Sequence, residues 1–416
     1  MEAAARSQKF SVWAQWKAYG AQMGPAWVIG ALACGPATLA SVSKAGAGFG
    51  YTLTWVVLLS ALFGTTAQYL AAKVGIIGRQ GLISMVKQEI GPIWAWLLVV
   101  DAVAVTWFAA IIIMKALAGL TAMLIGADAR VMGVLYAVLI PVLLVAGGYR
   151  RIEQICKVMV AFVVICFIIN LALVKPDMVA ILKGLVPSLP GGYQSALFAA
   201  GIMGGAVHIT IICLHTYTVN ARGWRQGDLG LARFDTILSM FVAFGLYSMA
   251  IFLSTAAALH PHGVAVNTPI DVAMSLNRLL GSHAKWIFLL GLWGAAFSTL
   301  GPVILSIGYM VSDKAGWGLE VRDRRFAAVL AVVSLVAIVG PFLKGAFMHL
   351  LVVAMALGLT GTLLVLALVL YMLNSERISG ALRNNTWENF LGFLTLAVST
   401  VLVVQWVVRN IIVKVF

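Results

Sequence analysis

Residues 25–46 read PAWVIGALACGPATLASVSKAG, an apolar stretch long enough to cross a bilayer that is interrupted by CGP at residues 34–36. Proline lacks a backbone N–H and clashes with the preceding turn, and glycine is a poor residue inside a helix. A second apolar stretch, residues 193–219, carries GIMGGAVH at residues 201–208. Helix breaks survive in lipid only where they are buried in protein or line a cavity. The sequence therefore predicts two broken membrane helices that enclose a site.

The composition is that of a membrane protein along the whole chain. Of 416 residues, 62% are apolar and 10% are charged, whereas a soluble domain carries about 25% charged residues. A membrane-crossing helix needs about 20 apolar residues. We predict an all-α integral membrane protein, with a cytoplasmic segment at 1–24 and one transport domain at 25–416. Eleven apolar spans can be marked, at about 25–46, 52–74, 93–121, 131–147, 156–174, 193–219, 235–259, 284–311, 325–343, 346–373 and 389–412.

The net charge of +14 has a simple explanation in a membrane protein. Most of the 28 Lys and Arg residues fall in loops on one side if the N-terminus is cytoplasmic and the C-terminus is outside, as the positive-inside rule requires. We therefore expect a multi-pass protein of a bacterial-type plasma membrane with no nucleic-acid partner. The four cysteines have no paired spacing, which argues against disulfides and a zinc site. We expect no cofactor.

The two breaks fall five spans apart, in spans 1 and 6. Broken helices at matching positions in two halves of a chain are a strong sequence indication of a transporter's central site. We predict one five-span repeat at about 25–174, a second at about 193–373, and an extra helix at about 389–412. The alternative is a pair of simple kinks with close helix packing, because small residues are common between membrane helices.

Several segments are similar to the Nramp family of divalent-metal transporters. Together they cover the chain from about residue 24 to residue 410. The resemblance implies the leucine-transporter fold, in which two inverted five-helix repeats and an eleventh helix work by alternating access around a site between spans 1 and 6. The matching segments are GPA at 24–26, AGAGFGY at 45–51, QYLAAKVG at 68–75, GYRRIE at 148–153, LKGLVP at 182–187, LH at 214–215, RGW at 222–224 and RFD at 233–235.

The chain departs from the family at the motifs that bind metal. Where the family has Asp-Pro-Gly-Asn in span 1, this sequence has GPAT at 35–38; where the family has Met-Pro-His in span 6, it has HIT at 208–210. The family often has a Gln in span 10, and residues 351–372 contain none. We identify a divergent member without metal-binding motifs and expect no metal ligand. The residues expected to bind substrate are Gly35, Pro36, Ala37, Thr38, Ala206, Val207, His208 and Thr210.

The missing acidic ligand decides the substrate that we predict. Half-helix N-termini expose unpaired N–H groups with a partial positive charge, which favour anions. A divalent cation needs anionic or strongly polar oxygen ligands. We therefore expect a monomeric transporter of a small organic carboxylate or amino-acid-like solute, and no enzyme, because no set of catalytic groups is gathered in one place. The alternatives are a divalent metal such as Mg or Mn at an atypical site, and a transport-inactive sensor on the same scaffold.

Ionisable residues inside the spans are candidates for ion coupling, because such residues are costly in lipid and usually functional. Asp101 in span 3 and His215 in span 6 match family positions that the resemblance implies lie on a proton route, and His208 lies at the break. The coupling ion is therefore expected to be a proton, with sodium coupling and uncoupled facilitated transport as the alternatives. For both histidines, a packed structural role remains the alternative reading. A structural or gating ion-pair network at the membrane edge is expected from Arg150, Arg151 and Glu153.

Overall fold

The computed structural model describes residues 12–190, 192–264, 266–267, 269–343 and 347–408, and within these ranges it is helical with no strand. The predicted segment 1–24, span 10 and the extra helix therefore extend in part beyond the described residues. The helices of the first half are α1 (Val12–Gln22), α2 (Pro25–Ala33), α3 (Pro36–Phe49), α4 (Thr54–Gly78), α5 (Leu82–Glu89), α6 (Pro92–Ile125), α7 (Ala129–Ala172) and α8 (Met178–Lys183).

The second half begins with another broken helix and ends with the extra span. A π-helical segment, Ile237–Phe244, joins α11 to α12. Short 3-10 turns occur at Gly50–Leu53, Gln226–Asp228, His260–His262, Gly340–Phe342 and Gly380–Leu382. The α-helices are α9 (Tyr193–Ala206), α10 (Ile209–Arg222), α11 (Leu229–Thr236), α12 (Gly245–Ala258), α13 (Pro269–Leu280), α14 (Ser282–Ala315), α15 (Arg324–Ala337), α16 (Phe347–Asn374), α17 (Glu376–Ser379) and α18 (Thr386–Val407).

All eleven predicted spans coincide with helices. In the described part of the chain, nine helical stretches are long and apolar enough to cross a bilayer. Two of them hold more than one predicted span: Pro36–Gly78 contains the second half of span 1 and all of span 2, and Ala129–Ala172 contains spans 4 and 5. The second stretch is interrupted at Gly148, where φ is 67° and ψ is 172°. A side chain would be strained in that conformation, so glycine is suited to the junction.

Both predicted helix breaks are confirmed. Helix α2 ends at Ala33, and Gly35 is extended, with φ −81° and ψ 174°, before Pro36 starts α3. Helix α9 ends at Ala206, and His208 is extended, with φ −90° and ψ 139°, before α10. Proline is favourable at the first position of a helix, where its missing N–H would have no helical partner.

Small residues let the broken helices approach each other. Helix α3 packs on α9, α12 and α16, and α2 packs on α7, α10 and α14. Gly201 lies against Ser41, and Gly205 lies against Thr38, so the two breaks are in contact. Gly204 lies against the backbone carbonyl of Met355 in α16. Glycine permits such backbone approach between membrane helices, and the breaks are thereby held at the centre of the bundle.

Replacing Gly204 by Ala should destabilise the protein by about 1–3 kcal/mol, because the added methyl group would overlap the Met355 carbonyl and force the backbone apart. The matched control is Gly119→Ala in α6, where an added methyl group meets no atom within 4 Å. That control should be neutral or slightly stabilising, because Ala is the better helix former. Thermal unfolding in detergent measures both variants, and equal melting temperatures would contradict the packing described here.

Candidate functional site

A small, largely enclosed cavity lies between the two helix breaks. Its volume is about 20 Å³, and about 10–15 Å³ is enough to hold one water molecule. The cavity therefore has room for one water or one bare ion in this conformation. Its walls come from both broken helices and from α6, α14 and α16. The residues that line it are Leu32, Gly35, Pro36, Ala37, Thr106, Ala109, Ile113, His208, Thr210, Thr299, Val303 and Met355.

Hydroxyl groups bind the backbone carbonyls that the breaks set free. Thr38 donates to the Ala33 carbonyl at 2.7 Å, within the same broken helix. Tyr247 of α12 donates to the Gly35 carbonyl at 2.9 Å. Thr362 of α16 donates to the Val207 carbonyl. An unpaired backbone group in the bilayer core costs several kcal/mol, so these three side chains are what makes both breaks tolerable.

The N-terminus of α10 is capped within the protein, whereas that of α3 has no side-chain cap among the described residues. Pro36 has no N–H to offer at the start of α3. At the start of α10, the Nδ1 atom of His208 accepts a hydrogen bond from the Thr210 N–H at 3.2 Å. Because Nδ1 is an acceptor, the proton of the neutral imidazole is assigned to Nε2. His208 is thus a helix cap, and it occupies the Thr210 N–H at the start of α10.

The Nε2–H of His208 is buried without a well-formed hydrogen bond among the described residues. It faces the Ala354 carbonyl and the backbone of Gly358, both in α16. A side chain at residue 358 would collide with the imidazole. His208 therefore joins the start of α10 to α16 directly, and its ring has no room to turn.

Two threonines form a hydroxyl pair on the cavity wall. The Oγ1 atoms of Thr106 and Thr210 are 2.6 Å apart, and Thr106 also donates to the Ala102 carbonyl. Thr210 must then be the donor within the pair, which leaves its oxygen lone pairs for another partner. Thr299 of α14 binds the Ala31 carbonyl at 2.8 Å. The cavity thus offers neutral oxygen atoms.

The structure brings most, but not all, of the predicted substrate-binding residues to the cavity. Gly35, Pro36, Ala37, His208 and Thr210 line it. The other three predicted residues are buried beside it, where Thr38 binds the Ala33 carbonyl and Ala206 packs on Gly64 of α4; they are Thr38, Ala206 and Val207.

Sequence reasoning missed several residues that do line the cavity. Thr106, Thr299 and Met355 come from α6, α14 and α16, and each is a single polar or sulfur-bearing residue in an apolar run. The sequence shows only that a polar residue lies inside a membrane helix, where it is costly. It does not show which way the side chain faces. No Asp or Glu lines the cavity, and no group of three or more His, Cys, Asp or Glu side chains able to hold a metal occurs among the described residues.

The three residues expected to carry protons are not joined by hydrogen bonds in the described part of the chain. Asp101 of α6 packs on the backbone of Gly361 in α16, outside the cavity lining. His215 of α10 is fully buried, and neither ring nitrogen has a partner there. The side chain of Gln68 in α4 is likewise buried and unpaired. Any proton route through these residues needs water or movement between them.

Glu153 does form an ion-pair network, with partners other than those predicted. It lies 3.2 Å from Lys157 Nζ and 3.7 Å from Arg222 Nη1. The expected partners Arg150 and Arg151 are exposed and form no salt bridge among the residues described. They lie in the turn that follows Gly148, where their long side chains extend towards solvent.

Asp235, which the sequence analysis did not single out, anchors the start of α2. Its carboxylate accepts hydrogen bonds from the Gly24 N–H at 3.0 Å and the Ala26 N–H at 2.9 Å. Glu153 lies against Gly24 as well. An acidic group at a helix N-terminus is stabilising because it complements the helix dipole. The N-terminal end of α2 is therefore fixed by α7 and α11 together.

Comparison with known proteins identifies the family. The model of the "Natural resistance-associated macrophage protein-like" family, Nramp, matches residues 26–409. The chain belongs to the Nramp family. A relative named "Divalent metal cation transporter MntH", from Klebsiella pneumoniae, is 27% identical over 389 residues, which are 91% of each chain. Membership of this transporter family also agrees with our expectation that the chain is not an enzyme.

Solved structures confirm the fold. The Eremococcus coleocola manganese transporter, in complex with an aromatic bis-isothiourea substituted compound, matches with a TM-score of 0.79 and 18% identity, over 94% of this chain and 86% of that one. MhsT in complex with L-phenylalanine matches with a TM-score of 0.61 and 13% identity, over 92% and 98%. This Nramp protein therefore has the leucine-transporter fold that the resemblance implied, with two inverted repeats and an eleventh helix.

Our prediction of a small organic carboxylate or amino-acid-like substrate is wrong. The relative that matches over 91% of both chains is named for divalent metal cations. One physical error was to count the N-terminus of α10 as free, since His208 caps the Thr210 N–H there. That no side chain here is a metal ligand stays a prediction.

Replacing Thr362 by Val should lower stability by about 1–3 kcal/mol, because the Val207 carbonyl would lose its hydroxyl partner in a dry environment. The matched control is Thr360→Val in the same helix, whose hydroxyl binds only the Leu357 carbonyl of its own turn and should matter little. Melting temperatures in detergent provide the measurement. If both variants melt together, the hydroxyl of Thr362 does not hold the break.

Proposed function

We propose that this Nramp protein transports a divalent metal cation by alternating access, with the cavity between the breaks as its substrate site. The observation that carries the proposal is the full-length relationship to a relative named for divalent metal cation transport, 27% identical over 91% of both chains. The oxygen atoms that face the cavity support it, because Mg²⁺ and Mn²⁺ take oxygen ligands.

The proposed site attracts a cation without a carboxylate. Helices α2 and α9 both end at the cavity, and a helix C-terminus carries about half a negative charge. In broken-helix transporters, such C-terminal ends and unwound carbonyls coordinate cations. A carbonyl has two lone pairs, so that of Gly35, which lines the cavity, can accept a second partner besides the Tyr247 hydroxyl that it already binds. Thr210 adds a hydroxyl oxygen.

A neutral site of this kind favours a cation that keeps part of its water shell. The cost of stripping all water from a divalent ion is far larger than neutral oxygen atoms recover. Mg²⁺ dehydrates reluctantly and usually keeps several waters when it binds protein. Because the cavity is small in this conformation, room for a hydrated ion requires α2 or α9 to move. We therefore expect weak binding that is coupled to opening.

Thr210→Val should reduce metal uptake about fivefold to tenfold, because it removes one oxygen ligand while keeping the shape of the side chain. Uptake of Mn²⁺ and Mg²⁺ is measured in proteoliposomes with a metal-sensitive dye. The control is Thr218→Val in the same helix, whose hydroxyl binds the His215 carbonyl away from the cavity. Failure of the unaltered protein to move any divalent metal would overturn the proposed function.

We further propose that protons couple to the metal through Asp101. This carboxyl group lies about two and a half turns inside α6, and it has no charged or hydrogen-bonding partner among the described residues. Asp101 is half-buried, and an acidic group without a counter-ion in a membrane helix is costly and usually functional. It is the acidic group closest along α6 to Thr106, which binds Thr210.

Asp101→Asn should leave metal uptake in the absence of a pH gradient largely intact and abolish its stimulation by an inwardly directed proton gradient. The substitution keeps the size of the side chain and removes its ability to release a proton. Uptake is compared in proteoliposomes with and without the gradient, with external sodium varied as a second arm. Stimulation by sodium instead of protons would favour sodium coupling, and a normal proton response in the variant would exclude Asp101.

A further inference from the structure

A groove on the membrane-facing surface, here called the α4–α18 groove, lies between α4, the π-helical segment and α18. Its volume is about 490 Å³, and its lining is mostly apolar. It is separate from the central cavity and shares no lining residue with it. The residues that line it are Leu62, Thr65, Thr66, Tyr69, Leu70, Arg233, Ile237, Phe241, Asn385, Trp387, Glu388 and Leu391.

One end of the groove carries an excess of positive charge. Glu388 binds Lys73 at 2.7 Å and Arg233 at 2.8 Å, so two cations share one carboxylate. Lys73 is almost completely buried, whereas the Arg233 side chain is 52% exposed. The excess charge is therefore presented to the surface by Arg233.

Tyr69 and Glu388 hold the Arg233 guanidinium in place, but they do not occupy all of its N–H groups. Its Nη2 binds Glu388 and lies 3.4 Å from the Tyr69 hydroxyl, and the group lies 4.8 Å from the centre of the Tyr69 ring. Its other N–H groups have no hydrogen-bond partner among the described residues. A guanidinium with a free edge is suited to a phosphate, which it can bind through two parallel hydrogen bonds.

Aromatic residues place this end of the groove at the membrane–water boundary. Trp387 is 74% exposed at the start of α18. Trp16 of α1 packs on Phe234, next to Arg233, with ring centres 5.9 Å apart. Trp residues concentrate at the depth of the lipid headgroups. The rest of the groove runs along membrane-crossing helices past the exposed apolar side chains of Ile237 and Phe241.

We propose that the α4–α18 groove binds one anionic phospholipid, with its phosphate on Arg233 and an acyl chain along the apolar wall. The polar end at headgroup depth and the apolar body match the two parts of such a molecule. The net positive charge favours a lipid with a net negative headgroup over a zwitterionic one. Basic pockets between membrane helices bind anionic headgroups in this way.

The bound lipid also contacts an element that holds the transport site. Ile237 and Phe241 line the groove on one side of the π-helical segment. On its other side, Ser239 donates to the Ala26 carbonyl of α2. A lipid in the groove therefore supports the segment that fixes α2, and it should stabilise the conformation described here.

The test measures binding of phosphatidylglycerol and phosphatidylcholine to the detergent-purified full chain by native mass spectrometry, with thermal unfolding in parallel. We expect phosphatidylglycerol to bind and to raise the melting temperature, and phosphatidylcholine to do so less. Arg233→Gln should weaken phosphatidylglycerol binding about fivefold, the effect of one basic residue at an anionic lipid surface, and Arg233→Lys should restore part of it, because the charge returns without the paired N–H groups. The control is Arg225→Gln, an exposed residue outside the groove.

A second variant tests the apolar part of the groove. Thr65→Phe places a ring against the groove wall and should reduce binding of phosphatidylglycerol while Arg233 is intact. Soluble glycerol phosphate should not compete, because it lacks an acyl chain. The proposal is overturned if Arg233→Gln and Arg225→Gln bind phosphatidylglycerol equally, if Thr65→Phe has no effect, or if both lipids bind alike. None of these readouts depends on which substrate the protein transports.

Discussion

The structure depends on how the backbone groups at two helix breaks are satisfied in the middle of a bilayer. In lipid there is no water to bind a freed carbonyl, so each break needs a partner from elsewhere in the protein. The hydroxyl of Thr38 binds the Ala33 carbonyl. The hydroxyl of Tyr247 binds the Gly35 carbonyl, and that of Thr362 binds the Val207 carbonyl. These partners come from α3, α12 and α16, which are therefore fixed around the breaks. The central cavity is the space that remains once those hydrogen bonds are made.

The same constraint explains the chemical character of the site. Hydroxyl groups can satisfy carbonyls without adding charge, and the cavity is accordingly neutral, with threonine oxygens and helix ends as its polar groups. His208 satisfies the N-terminus of α10 from within the same break. A cation at such a site is held by partial charges rather than by a formal one. The interaction energy from partial charges is smaller than the free energy needed to remove all water from the ion. The proposed binding mode therefore includes water that the ion retains.

The sequence was sufficient for the spans, the breaks and the family, and insufficient for the site. Pro36 and the glycines near 204 act through their own backbone, so their effect can be predicted locally. Thr106, Thr299 and Met355 act through the direction in which they face, which is set by helix packing across the bundle. The substrate prediction failed for a related reason: whether the Thr210 N–H is free depends on the position of the His208 ring, and no periodicity in the sequence encodes that position.

The anchoring of α2 limits how the site can open. Asp235 caps the N-terminus of α2, and Ser239 binds the Ala26 carbonyl. Both residues belong to the continuous helix that runs from α11 into the π-helical segment. A π-helix is less stable than an α-helix and is often found at functional positions. If α2 moves away from α10 to admit an ion, these bonds must break together or the π-helical segment must move with α2. The second course keeps the buried Asp235 paired, and leaving it unpaired would be costly. Opening is therefore expected to displace α2 and the π-helical segment as one unit.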